Sequence, residues 1–237
     1  MSLLLNAALL LGWGLSLVFA LGSNITQAPL WLLVVIVLLR TQLQTGLFIV
    51  AHDAMHGLLV PSRPRWNNAL GSLALLLYAG LPFSDCRRHH RHHHAQPGSV
   101  FDPDFCSGLQ SGSGALQWYG RFLGRYLRPR QMLLLLGFWG LLVGSTVLGA
   151  AVPAPLAALR LLLVVTLPLL LSSLQLFVFG TYLPHRVQGF PECRPHPISL
   201  NLPPWLSLLA CFHFGYHREH HDNPGLSWHE LPAARVA

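Results

Sequence analysis

Lysine is absent from this chain, and charged residues of any kind make up only 10% of its 237 positions. The fifteen basic side chains are all arginine, set against eight acids. So little charge does not keep a chain of this length in water, and with 52% of residues hydrophobic the composition is that of an integral membrane protein. Cysteine is scarce too: Cys86, Cys106, Cys193 and Cys211 show neither CxxC nor zinc-ribbon spacing. A disulfide framework is therefore not expected, and the thiols are read as reduced. The N-terminus has no basic n-region and no obvious small-residue cleavage site, so its apolar stretch is read as a retained helix and not a signal peptide.

Four apolar runs are long enough to cross a hydrocarbon core: Leu3–Leu21, Pro29–Val50, Met132–Val152 and Leu156–Tyr182. A fifth, Ala69–Phe83, is too short to span comfortably. The loops Gly22–Ala28 and Ala150–Pro155 are uncharged, whereas Ser62–Arg65, Arg87–Arg130 and Arg186–Ala237 carry nearly all the arginines. Arginine-rich loops stay on the cytoplasmic side. The expected fold is thus an all-α integral membrane protein with four transmembrane helices in two hairpins. Ala69–Phe83 adds a short interfacial or re-entrant helix, and both termini face the cytoplasm. One membrane domain is expected over residues 1–237, with Ser107–Gly114 as a surface turn and Pro191–Pro204 as an irregular connection. Arg40, inside the second run, must snorkel, pair or face the protein interior.

What the chain has in excess is histidine, fourteen in all. They gather at the ends of apolar runs as His52-Asp-Ala-Met-His56, His89-His-Arg-His-His-His94 and His217-Arg-Glu-His-His221. Neutral imidazole is the commonest side-chain metal ligand, and residues three and four apart share a helix face. The expected ligands are His52, His56, His89, His92, His93, His217, His220 and His221, with His185 at the exit of the fourth run as a ninth and His213 as its substitute. One ion does not use so many imidazoles, so two ions are expected, in a cap on the cytoplasmic face. Ligand type alone leaves iron, copper, nickel and zinc open. His90, His94, His196 and His229 are read as structural or surface residues. Asp53, Asp102, Asp104 and Glu219 are expected to orient imidazole N–H groups, as metal-bound histidines require.

Other readings fit less well. His52-Asp-Ala-Met-His56 is similar to the HExxH zinc-protease helix, but Asp is a methylene shorter than the Glu used there as general base. A metal transporter would place its ligands at the bilayer midplane. Here they lie at helix ends on one side.

Three histidine boxes on four apolar spans resemble the membrane di-iron desaturase and hydroxylase superfamily. More narrowly, Leu47–Gly57, Arg88–His94 with Asp102-Pro-Asp-Phe105, Phe179–Arg186 and Phe212–His221 with Pro224, Trp228 and Leu231-Pro232 resemble the bacterial-type β-carotene ketolases. The likeness runs from about Leu47 to Arg235. It implies two iron ions (Fe2+), dioxygen as co-substrate and an external electron donor such as a ferredoxin. The implied substrate is a carotenoid whose allylic ring carbon 4 becomes a ketone, giving echinenone and canthaxanthin from β-carotene. Oxidising such a methylene is chemistry that side chains alone do not perform and a metal must carry. Two hydroxylations at one carbon give a gem-diol that loses water to the ketone, so no catalytic acid, base or nucleophile is expected beyond the metal shell. A carotenoid hydroxylase or fatty-acyl desaturase of the same superfamily is the alternative.

The substrate groove is expected to be apolar and open toward lipid. Its candidate walls are Leu47, Phe48, Met55, Leu176, Phe179, Tyr182, Phe212, Phe214 and Trp228. Arg121, Arg125, Arg128 and Arg130 are expected to help recruit an acidic donor, although such arginines also anchor topology and meet anionic lipid. A bacterial cytoplasmic or cyanobacterial membrane is the expected location, and no nucleic-acid partner is expected.

Overall fold

Among the described residues the apolar runs become helices that extend beyond the runs themselves, because their polar ends are buried by neighbouring helices. In the computed structural model, which describes residues 2–99, 101–105, 114–150, 152–186 and 197–236, α1 is Ser2–Gly22 and α2 is Leu30–Met55. Next come α3 (Pro64–Ala79), α4 (Phe83–Ala95), α5 (Ala115–Tyr126) and α6 (Pro129–Ala150). A long helix α7 covers Ala154–His185. The short helices α8 (Pro204–Cys211), α9 (His217–Asp222) and α10 (Leu231–Val236) complete the described chain. Four helices, α1, α2, α6 and α7, are long and apolar enough to cross a membrane. Leu30, Trp31, Val34, Val35 and Leu38 on α2 and Leu133, Leu136, Leu141 and Leu148 on α6 are exposed. Apolar faces of this size are satisfied by lipid, and the chain is an integral membrane protein. All but Gly114 of the turn expected at Ser107–Gly114 and the first part of Pro191–Pro204 lie outside the described residues, as do Cys106, Cys193 and His196.

The central element is α2. Its first half faces outward, but from Arg40 to Met55 it is almost wholly buried, against α1, α3 and α7. Polar groups on a buried helix must find partners. Gln44 accepts from the Trp13 indole at 2.6 Å and donates to the Tyr78 carbonyl at 2.7 Å. Thr45 is paired with Ser172 and Gln175 at 2.8 and 2.6 Å. Arg40 takes the interior option: it donates to the Trp13 carbonyl at 2.7 Å, to Ser16 Oγ at 2.8 Å and to the Val164 carbonyl at 3.0 Å. Val164 sits in a π-helical stretch of α7, Leu162–Thr166. The wider turn interrupts the regular i to i−4 ladder where Arg40 docks.

Two glycines set the path of the chain toward the site. A side chain at Gly71 would meet Phe83 and Ala54 at 2.5 and 2.6 Å, so only glycine lets α3 lie this close to α2. Gly80 has φ 65°, the left-handed cap that ends α3. Pro82 then starts α4, which is bent 99° from α3. The short fifth run is therefore one arm of a sharply broken helix pair. Cys86 and Cys211 are buried free thiols.

Candidate metal centre

Each histidine box has its own local reason to face the same space. His52 and His56 fall one turn apart at the C-terminal end of α2. On α4, Cys86, His90, His93 and His94 share one face, since at 3.6 residues per turn all four lie within about 100° of arc. His185 is the last residue of α7, directly after a second π-helical stretch, Phe177–Tyr182. The added residue per turn rotates everything downstream and directs His185 inward. His217, His220 and His221 come from α9. The turn before α9 holds Phe212 and His213 at φ 46° and 66°, left-handed values that non-glycine residues adopt only when their surroundings impose them.

These elements bring nine imidazoles together in two groups. One contains His52, His56, His90, His94 and His220; the other contains His93, His185, His217 and His221. Within each group, one ring nitrogen from every member lies within 4.8 Å of all the others. The boxes interleave: α4 and α9 each supply both groups. Nε2 atoms face one another at 2.7 Å for His56–His90, 2.9 Å for His94–His220, 2.8 Å for His185–His217, 3.1 Å for His93–His221 and 3.2 Å for His217–His221. Nitrogens about 2.1 Å from a shared ion and at right angles to one another lie about 3.0 Å apart, so this packing fits one ion per group. The all-nitrogen donor sets are consistent with the di-iron cofactor of the superfamily.

The electrostatics agree. Burial, followed by the neighbouring imidazoles, pushes His217 and His220 well below the ordinary histidine range. Burial, reinforced by Arg91, brings His56 down to about 4. Such rings are neutral at neutral pH and keep the lone pair that a metal needs. His93 is held from behind, its Nδ1 lying 2.9 Å from both oxygens of buried Asp102. Burial alone would raise the Asp102 carboxyl. Hydrogen bonds from His93 and from the Gly98 and Asp104 amides outweigh it and hold the group below the usual carboxylate range.

The structure brings His52, His56, His93, His185, His217, His220 and His221 into the groups, and with them His90 and His94 in place of His89 and His92. The reason is helical phase. His92 lies on the opposite side of α4 from His90 and is exposed. His89 is partly buried beside Asp85, Arg125 and Arg128, in a separate small cavity. His213 stacks on Tyr216 at 5.6 Å, apart from both groups. Asp102 orients His93 as described. Asp53 is buried with Oδ2 unpaired, Asp104 lies against His93 and Asp102, and Glu219 accepts from Ser199, away from the imidazoles.

A narrow cavity of about 50 Å³ opens beside both groups. Among the groove candidates, Phe48, Met55, Leu176 and Phe214 line it. Leu47 is buried in the core, and Phe179 packs on it. Tyr182 lies against Trp118 at 5.5 Å, and Phe212 against Trp228 at 5.2 Å. Phe122, Tyr126, Gly180 and Thr181 also line the cavity, and sequence reasoning missed them. Only the aromatic content of α5 hinted at two of them.

The fatty acid desaturase family profile matches residues 26–237. A beta-carotene ketolase from one Paracoccus strain is 44% identical over 204 residues, covering 83% of this chain and 76% of its own length. A beta-carotene ketolase from a second Paracoccus strain is 41% identical over 239 residues, covering 98% of this chain and 90% of its own. A zeaxanthin 4-ketolase from Chlamydomonas reinhardtii is 36% identical over 228 residues, covering 94% of this chain and 48% of its own. With nine imidazoles in two groups and likeness along nearly its whole length, the chain belongs to the fatty acid desaturase family and, within it, to the bacterial-type β-carotene ketolases.

Proposed function

We propose that the protein is a membrane-bound β-carotene 4-ketolase that oxidises ring carbon 4 of β-ionone rings to the ketone, with dioxygen and electrons from an external carrier protein such as a ferredoxin. The observation that carries this reading is the junction of two imidazole groups with an apolar cavity. His52 and His90 of one group and His93 and His217 of the other line it together with Phe48, Met55, Leu176 and Phe214. His52, His56, His90, His94 and His220 would hold one iron ion, and His93, His185, His217 and His221 the other. When bound, the irons would activate dioxygen, the oxidant, which no side chain can do. The chain's own residues place the ring. Phe48, Met55, Leu176 and Phe214 exclude water and hold an apolar ring edge against the imidazoles, where near-attack geometry of roughly 3–3.5 Å is required. The polyene extends toward lipid, which is also its solvent.

The arginine-rich loops support a metal face on the cytoplasmic side of the membrane. Arg125, Arg128 and Arg130, next to α6, together with Arg121, give that side a basic character suited to an acidic electron carrier. The test is expression in cells that accumulate β-carotene, with product analysis and metal analysis of the purified protein. Echinenone and canthaxanthin with two irons per chain support the reading. Alcohols as the end product would make it a hydroxylase, and unchanged β-carotene would remove the ketolase reading.

A further inference from the structure

A ketolase must oxidise the same carbon twice, so the alcohol formed first has to stay in place or be recaptured. Each round consumes one dioxygen, two electrons and two protons. One oxygen atom enters a C–H bond and the other leaves as water, and after the second round the gem-diol expels water to give the ketone. β-Carotene has no polar atom, whereas the alcohol carries one O–H donor. An acceptor in the cavity would therefore be idle with the substrate and engaged with the intermediate.

Asp104 has the required placement. It lines the cavity shared by the two imidazole groups. Its Oδ1 is fully buried and has no hydrogen-bond partner among the described residues, although the carboxyl group also meets the Tyr126 hydroxyl on the same cavity. Such an orphan is costly in a protein interior and calls for an explanation. Orienting the imidazole of His93 is not that explanation, because the two oxygens of Asp102 already face His93 Nδ1. Neutralising Arg125 is not it either, because no ion pair joins the two residues among those described, although Arg125 lies near enough to act on the carboxylate. The backbone of Asp104 is held at both ends: its amide donates to Asp102 Oδ1 at 2.8 Å, and its carbonyl accepts from the Trp118 indole at 3.0 Å. The carboxylate is thus fixed in position before anything binds, which is how an acceptor is made effective at low entropic cost.

Resting on the ketolase reading above, we propose that Asp104 is the alcohol-holding residue: it accepts the O–H of the 4-hydroxy intermediate and keeps the hydroxylated ring in the cavity for its second oxidation. The wall formed by Phe48, Met55 and Leu176 offers no acceptor, and the Tyr126 and Thr181 hydroxyls on the same cavity leave no buried atom unpaired, so without Asp104 the alcohol escapes more readily into lipid.

The experiment compares the unmodified protein with Asp104→Leu, which keeps the branched outline and heavy-atom count and removes the acceptor, and Asp104→Asn, which keeps a carbonyl acceptor. Each is expressed in β-carotene-accumulating cells, and alcohol-to-ketone ratio and bound iron are measured. Loss of a hydrogen bond to a charged group should raise the ratio by roughly tenfold or more in Asp104→Leu, with a smaller rise in Asp104→Asn and iron retained in both. An unchanged ratio in Asp104→Leu with iron retained overturns the proposal. Loss of iron in both variants also overturns it, since Asp104 would then serve the metal shell. If the unmodified protein makes no ketone, the ketolase reading fails and this inference falls with it. Ketone from the unmodified protein beside an unchanged ratio in the variants defeats the inference alone.

Discussion

The two imidazole groups are built from the same boxes but held in different ways. The four-imidazole group has a carboxylate behind it: Asp102 accepts from His93, from Gly98 N at 2.7 Å and from Asp104 N at 2.8 Å. In the five-imidazole group, no ring is hydrogen-bonded to a carboxylate among the described residues; a buried Nδ1 without a partner occurs in each group, at His52 and at His185. One group relies on a charge-assisted hydrogen bond that fixes a ring and raises its basicity, the other on the number of its imidazoles. Two chemically inequivalent positions in one shell are thus written into the chain, although HxxHH reads the same in both boxes.

The largest effects should come from removing ligands. His220→Ala strikes the five-imidazole group and His217→Ala the four-imidazole group. Each is expected to abolish ketone formation and to lower bound iron, read by metal analysis of purified protein. His90→Ala and His94→Ala should do the same, while His89→Ala and His92→Ala leave iron and activity in place. The reverse pattern would undo the assignment of α4 to its observed face.

A lesion shared by both groups comes next. Gly71→Leu would drive a side chain into Phe83 and Ala54 and shift α4, which supplies ligands to both. Overpacking of this kind costs about 1–3 kcal/mol or more, so thermal stability should fall and both irons should weaken together. Loss of one iron alone would show that the groups do not depend jointly on the seating of α4.

Asp102→Asn sharpens the comparison directly. Loss of a carboxylate behind a ligating histidine typically costs about 10–100-fold in metal affinity. A chelator titration should therefore strip one iron early and leave the other, held by the five-imidazole group, near its original affinity. Equal weakening of both would erase the asymmetry. The smallest effect is expected from Met55→Val, which widens the cavity beside His52 without touching a ligand: iron stays, and the proportion of mono-ketone or alcohol changes. An unmoved product profile would place the substrate ring elsewhere.

Much of the scaffold was legible because membrane helices announce themselves by unbroken apolar length. Their ends were not, since α2 runs on through Met55 and α7 through His185, past the points where apolar sequence stops. Those extensions are stabilised by burial, which hydropathy does not register. Helix α5 went unread for a related reason. Trp118 and Phe122 are buried or half-buried against Phe177 of α7, and that partner lies some distance along the chain. The second box shows the same limit at higher resolution. The run His89–His94 contains HxxHH twice, beginning at His89 or at His90, and composition does not distinguish the two. The choice follows from how α4 is phased by Gly80, Pro82 and the burial of Phe83 and Cys86.

By itself, the sequence determined that the chain lives in a membrane, which runs span it, and that imidazoles collect at the ends of those runs. Those properties follow from local composition and spacing, and neither depends on what the chain touches. Only the tertiary structure decided which histidines converge, that they divide into two groups, that Asp102 stands behind one of them and that one oxygen of Asp104 is left without a partner beside the cavity. Those outcomes depend on the rotation of each helix about its own axis. That rotation is set by close approach at Gly71, by the break at Gly80 and by two π-helical stretches, which are contacts and turns that a one-dimensional pattern does not encode.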